Sequence, residues 1–155
     1  MSVKSREPWF YTLDTSVLVK TFLLDEELVE EANAVLDAFG EGRCLLVMPV
    51  IAQYEASSTI LKAVRERQIS DEAARVALET LFDLRIPVVG DLNETRDMVL
   101  RAYPVAREIG GNIYKAIFLV LSATVGAPLI TADRELFDAS RGTFDVIWLG
   151  DFELS

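Results

Sequence analysis

Three carboxylates stand where an α/β fold does chemistry. Asp14 ends the apolar run Trp9-Phe10-Tyr11-Thr12-Leu13-Asp14, and a helix-like segment follows at once. Asp133 ends a second run, Leu129-Ile130-Thr131-Ala132-Asp133. Glu55 lies on a helix-like segment one turn after Ile51 and beside Tyr54, which is expected to turn it inward. Open α/β sheets place their sites at the carboxyl tips of strands. Acids brought together from three separate segments can hold magnesium or manganese, which prefer oxygen ligands. Such ions activate water and stabilise in-line displacement at phosphorus. Ser16 and Thr131 could orient ligands or waters in such a site. Lys115 falls in the same region and opposes it.

Each acid also has an ordinary reading. Asp14 could cap the helix beginning near Ser16, and Asp133 the helix containing Leu136. Glu55 could be a helix-surface acid paired with a base. Taken together, two strand tips and an inward helical acid are hard to explain as unrelated caps and pairs. Asp91, in Gly90-Asp91-Leu92-Asn93, reads as a turn and cap.

The composition narrows the chemistry. The chain has 155 residues, expected to form one domain over 1–155 with a proper core. Net charge is −10, from 25 acids and 15 bases with no histidine. Histidine acid/base catalysis, Ser-His-Asp triads and imidazole-ligated zinc are thereby excluded. The far field repels phosphate, so nucleic acid would need local cations. Cys44 is the only cysteine, which rules out an internal disulfide and fits a reducing, cytoplasmic setting. The basic start, Met1 to Arg6, is not followed by an apolar stretch, so no signal peptide is expected. The segment Ala116 to Val125 is too short to span a bilayer, so no membrane association is expected.

Strand-like and helix-like segments alternate along the chain. Strands are expected at Phe10–Leu13, Cys44–Met48, Ile86–Val89, Pro128–Thr131 and Asp145–Leu149. Helices are expected over Ser16–Leu24, from the Asp25 cap to Gly40, and from Pro49 in its first turn, with Ile51, Tyr54, Ser58 and Leu61 on its inner face. Another follows the Ser70 cap, with Ala74, Ala77, Leu78 and Leu81 inward. A fifth starts at Asn93 or Glu94, with Met98, Val99, Ala102 and Ala106 in register. Asn112–Val125 is apolar nearly all round after Lys115, so it should be central, with Gly126 ending it. A short helix spans Asp133 to about Ala139. This pattern implies a three-layer α/β/α domain with a parallel sheet, its strand order left open.

The chain resembles the PIN domain family, and within it the VapC-type toxins. The likeness rests on Leu13-Asp14-Thr15-Ser16-Val17-Leu18-Val19-Lys20, Pro49-Val50-Ile51-Ala52-Gln53-Tyr54-Glu55-Ala56, Tyr114-Lys115-Ala116-Ile117-Phe118-Leu119-Val120-Leu121-Ser122-Ala123 and Pro128-Leu129-Ile130-Thr131-Ala132-Asp133-Arg134-Glu135-Leu136. The resemblance implies a five-stranded parallel sheet in the order 3-2-1-4-5. It implies a magnesium- or manganese-dependent nuclease site cutting RNA, a homodimer, and inhibition by an antitoxin. By position, Asp14, Glu55 and Asp133 match three family acids. The fourth belongs before Ala116, where the family pattern reads Tyr-Asp-Ala and this chain reads Tyr114-Lys115-Ala116.

That substitution reverses a charge at a metal-ligand position. A protonated lysine has no lone pair for a metal. At ~4 Å from a divalent ion it is repelled by several kcal/mol even at an effective dielectric of ~20. The simplest consequence is a salt-bridged cluster in which Lys115 replaces the ion electrostatically and nuclease activity is lost or reduced. Catalysis survives if Lys115 snorkels away, if Asn112 supplies a neutral oxygen ligand, or if Lys115 holds the phosphate. Lys20, Lys62, Arg65 and Arg134 are further candidates for RNA contact, though each reads more readily as a solvated surface charge. No strip of aromatic and basic residues for base stacking stands out in the sequence.

Overall fold

In the computed structural model, residues 9–23, 27–90 and 94–154 are described; Asp25, Asp91 and Asn93, to which the sequence assigns caps, lie outside them. The order is β1 (Trp9–Leu13), α1 (Thr15–Lys20), α2 (Val29–Gly40), β2 (Cys44–Pro49), α3 (Ile51–Arg65), α4 (Asp71–Asp83), β3 (Val88–Val89), α5 (Thr95–Ile109), α6 (Ile113–Val125), β4 (Leu129–Thr131), α7 (Arg134–Ser140) and β5 (Val146–Trp148). A 3-10 turn, Leu149–Asp151, follows β5. The sheet order is β3-β2-β1-β4-β5, every pairing is parallel, and helices cover both faces. This is the order the family resemblance implies.

β1 is the central strand. It pairs Thr12 with Val47 on one side and Leu13 with Ile130 on the other. The strands are short and their inner positions are apolar, as expected of a sheet covered on both faces. Leu13, Leu46, Leu129 and Ile130 are all essentially inaccessible. Phe118, Leu119 and Leu121 of α6 are buried as well, so this helix is central, as its all-round apolar sequence requires. Gly126 ends α6 at φ 67°, a left-handed conformation that glycine adopts without a Cβ penalty. Among the described residues, no helix is long and apolar enough to cross a membrane.

Local details depart from the sequence expectations for identifiable reasons. Pro49 does not open a helix; it ends β2, opposite Val89. The Met48 and Val50 N–H groups donate to the Pro87 and Val89 carbonyls, so the position between them points away from β3. There, beyond the last β1 pair, a missing N–H disrupts no ladder bond. The inner stripe of α3 is Ala52, Ala56, Ile60 and Ala63, whereas Tyr54 and Leu61 face solvent. Small residues on that stripe let α3 approach its neighbours closely, and this outweighs the burial Tyr54 would gain. Leu28 precedes α2 in a left-handed conformation, φ 65°, rather than lying in its first turn. Val99 is exposed, while Ala102 and Ala106 pack against α6. β3 has two residues where four are expected, and Ile86 is buried just before it.

Candidate functional site

The tips of β1 and β4 lie side by side because these strands are neighbours in the sheet. Asp14 follows β1 directly, and its N–H donates to the Ile130 carbonyl at 3.0 Å. Its side chain is 7% exposed and forms no cap on α1, so the capping explanation fails for this residue. Oδ2 instead accepts from Ser16 Oγ at 2.5 Å and from Thr131 Oγ1 at 2.8 Å. Those hydroxyls are themselves fixed: Ser16 Oγ accepts the Ala132 N–H and Thr131 Oγ1 the Asp133 N–H. Ser16 and Thr131 thus stitch the two strand tips together and orient the buried carboxylate.

Burial pushes the Asp14 carboxyl above its ordinary range, against the lowering by its two hydroxyl donors, and the Asp133 charge adds to the rise. Glu55 reaches the same hollow from α3. Its Oε1 accepts from Thr15 Oγ1 at 3.1 Å, and its carboxyl is also raised, chiefly by burial and further by Asp14. Thr15 was not among the residues singled out from sequence. Its place directly after Asp14 was the available signal, because a residue there begins α1 and faces α3.

Asp133 has two tasks. Oδ1 caps α7 by accepting the Leu136 N–H at 3.1 Å. Oδ2 meets Lys115 Nζ at 2.8 Å. Burial raises the Asp133 carboxyl, but the Lys115 hydrogen bond and charge together with the Leu136 N–H outweigh it, and its pKa falls below the usual value. The Lys115 ammonium moves up in turn, mainly through its bond to Asp133. Lys115 therefore points into the hollow instead of snorkelling away. Asn112 is exposed and serves as the α6 cap, its Oδ1 accepting the Lys115 N–H at 3.0 Å. That cap places Lys115 in the first turn of α6.

The other basic candidates lie on α1, α3 and α7. Lys20 is buried on α1, Lys62 pairs with Glu66, and Arg65 is exposed at the end of α3. Arg134 opens α7, immediately after Asp133.

As arranged, this donor set does not fit a divalent ion held by three carboxylates. Both oxygens of Asp133 are committed, one to an ammonium and one to a helix cap. Among the described residues no group of three acids stands close enough to hold a metal. The hollow holds a fixed cation of its own at the edge of two desolvated carboxylates. Such an arrangement can bind and orient an anionic group at Lys115, while Asp14 and Glu55 accept hydrogen bonds or protons.

The chain matches the PIN domain family over residues 11–142. It is similar to Ribonuclease VapC1 of two Mycobacterium tuberculosis strains, with 28% identity over 123 residues covering 72% of this chain and 89% of the relative. The fold is also similar to the crystal structure of PAE2754 from Pyrobaculum aerophilum, with a TM-score of 0.61 and 22% identity over 90% of this chain and 92% of that one.

Proposed function

Because this chain belongs to the PIN domain family, a nuclease family, we propose that it is an RNA-directed domain of the VapC toxin type. Its hydrolytic power is lost or much reduced because Lys115 has taken the place of an ion. The observation that carries this reading is the 2.8 Å contact between Lys115 Nζ and Asp133 Oδ2. An ammonium there neutralises Asp133 and offers an RNA phosphate a point charge. It does not polarise a bound water as a divalent ion does. The protein then binds RNA without turning it over efficiently.

A second reading keeps magnesium- or manganese-dependent endoribonuclease activity on Asp14, Glu55 and Asp133. The similarity to a ribonuclease over most of the chain favours it. The two separate in one experiment on the purified protein with a labelled single-stranded RNA. Binding without cleavage across a manganese and magnesium series supports the first reading. Metal-stimulated cleavage that is lost in Asp14→Asn establishes the second.

A cognate antitoxin and a homodimer belong to the same proposal. Exposed apolar side chains on α3 to α5, among them Leu61, Val76, Phe82, Leu100 and Tyr103, support a protein partner.

A further inference from the structure

Next to the acidic hollow the tertiary structure assembles a cationic, aromatic strip that no local stretch of sequence displays. Arg134 lays its guanidinium 3.9 Å from the centre of the Trp148 ring on β5 and 5.6 Å from that of Phe137. Phe137 lies 6.0 Å from Trp148, centroid to centroid. Arg141 sits over Phe137 at 5.6 Å. Positions 134 and 137 of α7 and the αR C-cap at 141 lie on one side by helical spacing. Both arginines are exposed and both rings are partly so.

The charges of this strip are uncompensated. Arg43, Lys62, Arg75, Arg101 and Lys115 each pair with an acid. Among the described residues no carboxylate pairs with Arg134 or Arg141, although Glu135, Asp138 and Asp145 are close in sequence. A cation over an exposed ring gains only about 0.5–1 kcal/mol, so the guanidiniums keep most of their capacity for an anion. A purely structural role explains half the strip at most. The Arg134–Trp148 contact ties α7 to β5, but the Arg141–Phe137 contact joins α7 only to its own C-cap and links no two elements.

We propose that this strip is the track along which single-stranded RNA leaves the hollow. Phosphates pair with Arg134 and Arg141, and bases stack on the guanidinium and ring faces. The inference rests on the RNA-binding reading given above. Elsewhere the chain's net charge of −10 repels the backbone, so contact is confined to the few fixed cations beside Asp133. Arginine suits both tasks, since its plane stacks and its fork grips phosphate, whereas lysine offers charge alone.

The chain has two tryptophans, Trp9 and Trp148, so Trp9→Phe leaves Trp148 as the only reporter. This protein is titrated with oligouridine of about 12 nucleotides, a length within the range one such site covers. Binding is read by anisotropy and by Trp148 emission across a salt series. The expected result is a changed Trp148 emission and about tenfold weaker binding in the Arg134→Ala/Arg141→Ala double variant. Its slope of log affinity against log salt shrinks by about 1.4, two phosphates at ~0.7 each for a single strand. Arg134→Lys, which keeps the charge and the fold, retains the slope while losing affinity. Binding that is silent at Trp148 and unchanged in the double variant overturns the strip and leaves the RNA reading intact. No binding at any salt concentration overturns both.

Discussion

Replacing Lys115 with aspartate should convert a hollow that carries its own cation into one that requires a bound one. At the observed 2.8 Å separation from Asp133, the gross attraction at an effective dielectric of ~20 is about 6 kcal/mol. Desolvation offsets much of it. The side chains are 33% and 26% exposed, so the pair sits between a surface bridge worth about 0–1 kcal/mol and a buried one whose disruption costs about 3–5 kcal/mol. Lys115→Ala should therefore lower stability at neutral pH by about 1–3 kcal/mol. Lys115→Asp should lower it by about 2–5 kcal/mol in chelator, since a carboxylate now faces Asp133, Asp14 and Glu55. For a chain of this size each kcal/mol moves Tm by about 2–4 °C. Manganese at about a hundred times its dissociation constant should return about 2.7 kcal/mol to the Lys115→Asp protein, and nothing to the unaltered one. Thermal unfolding followed by circular dichroism, with chelator and then with manganese, measures both. The reasoning is refuted if manganese raises Tm equally in the two proteins, or if it leaves Lys115→Asp unmoved.

Three other outcomes follow from the same geometry. The Asp133 carboxyl is held below its ordinary value, so its contribution to stability is complete above about pH 4 and is lost as pH falls through its folded value. The Lys115 ammonium is held above its ordinary value, so its contribution is complete below about pH 10 and is lost as pH rises through its folded value; acid and base titrations of Lys115→Ala should both be flatter. Asp14 and Glu55 act in the opposite sense: burial raises their carboxyls, so their ionisation weakens the fold as pH rises above about 4. Asp14→Asn should consequently be more stable than the unaltered protein at pH 7 and nearly equal to it below pH ~4, as read by urea midpoints at the two pH values. Thr131→Val preserves shape but removes a donor to Asp14 and an acceptor for the Asp133 N–H, and should cost about 2–4 kcal/mol in a chemical denaturation experiment.

The legible parts of this protein are those with a strong local signature. Apolar runs ending in aspartate marked β1 and β4, and the unbroken apolar stretch after Lys115 marked α6 as central. The Ser70 and Asp133 caps were readable because a capping side chain acts within three residues of its own position. The inner face of α3 was misread. Tyr54 and Leu61 look like core residues by hydrophobicity, but the helix buries alanines where it packs closely. Glu55 nevertheless enters the hollow, because it flanks Ala52 and Ala56 rather than because Tyr54 turns it inward. The Arg134–Trp148 contact had no local signal, since its partners lie on different elements and meet only when α7 packs on β5.

Residue types and their order along the chain determined that acids would sit at two strand ends, that histidine chemistry is absent, and that a lysine stands where the family pattern has an aspartate. Only the packed fold decided that the lysine turns toward Asp133, that Ser16 and Thr131 hold Asp14, and that two arginines rest on aromatic faces beside the hollow. The division has a physical cause. Apolar periodicity, caps and strand tips depend on neighbours a few residues away. An ion pair or a stacked ring depends on distances between elements, which exist only once β1 and β4 are paired and α6 and α7 have closed over them.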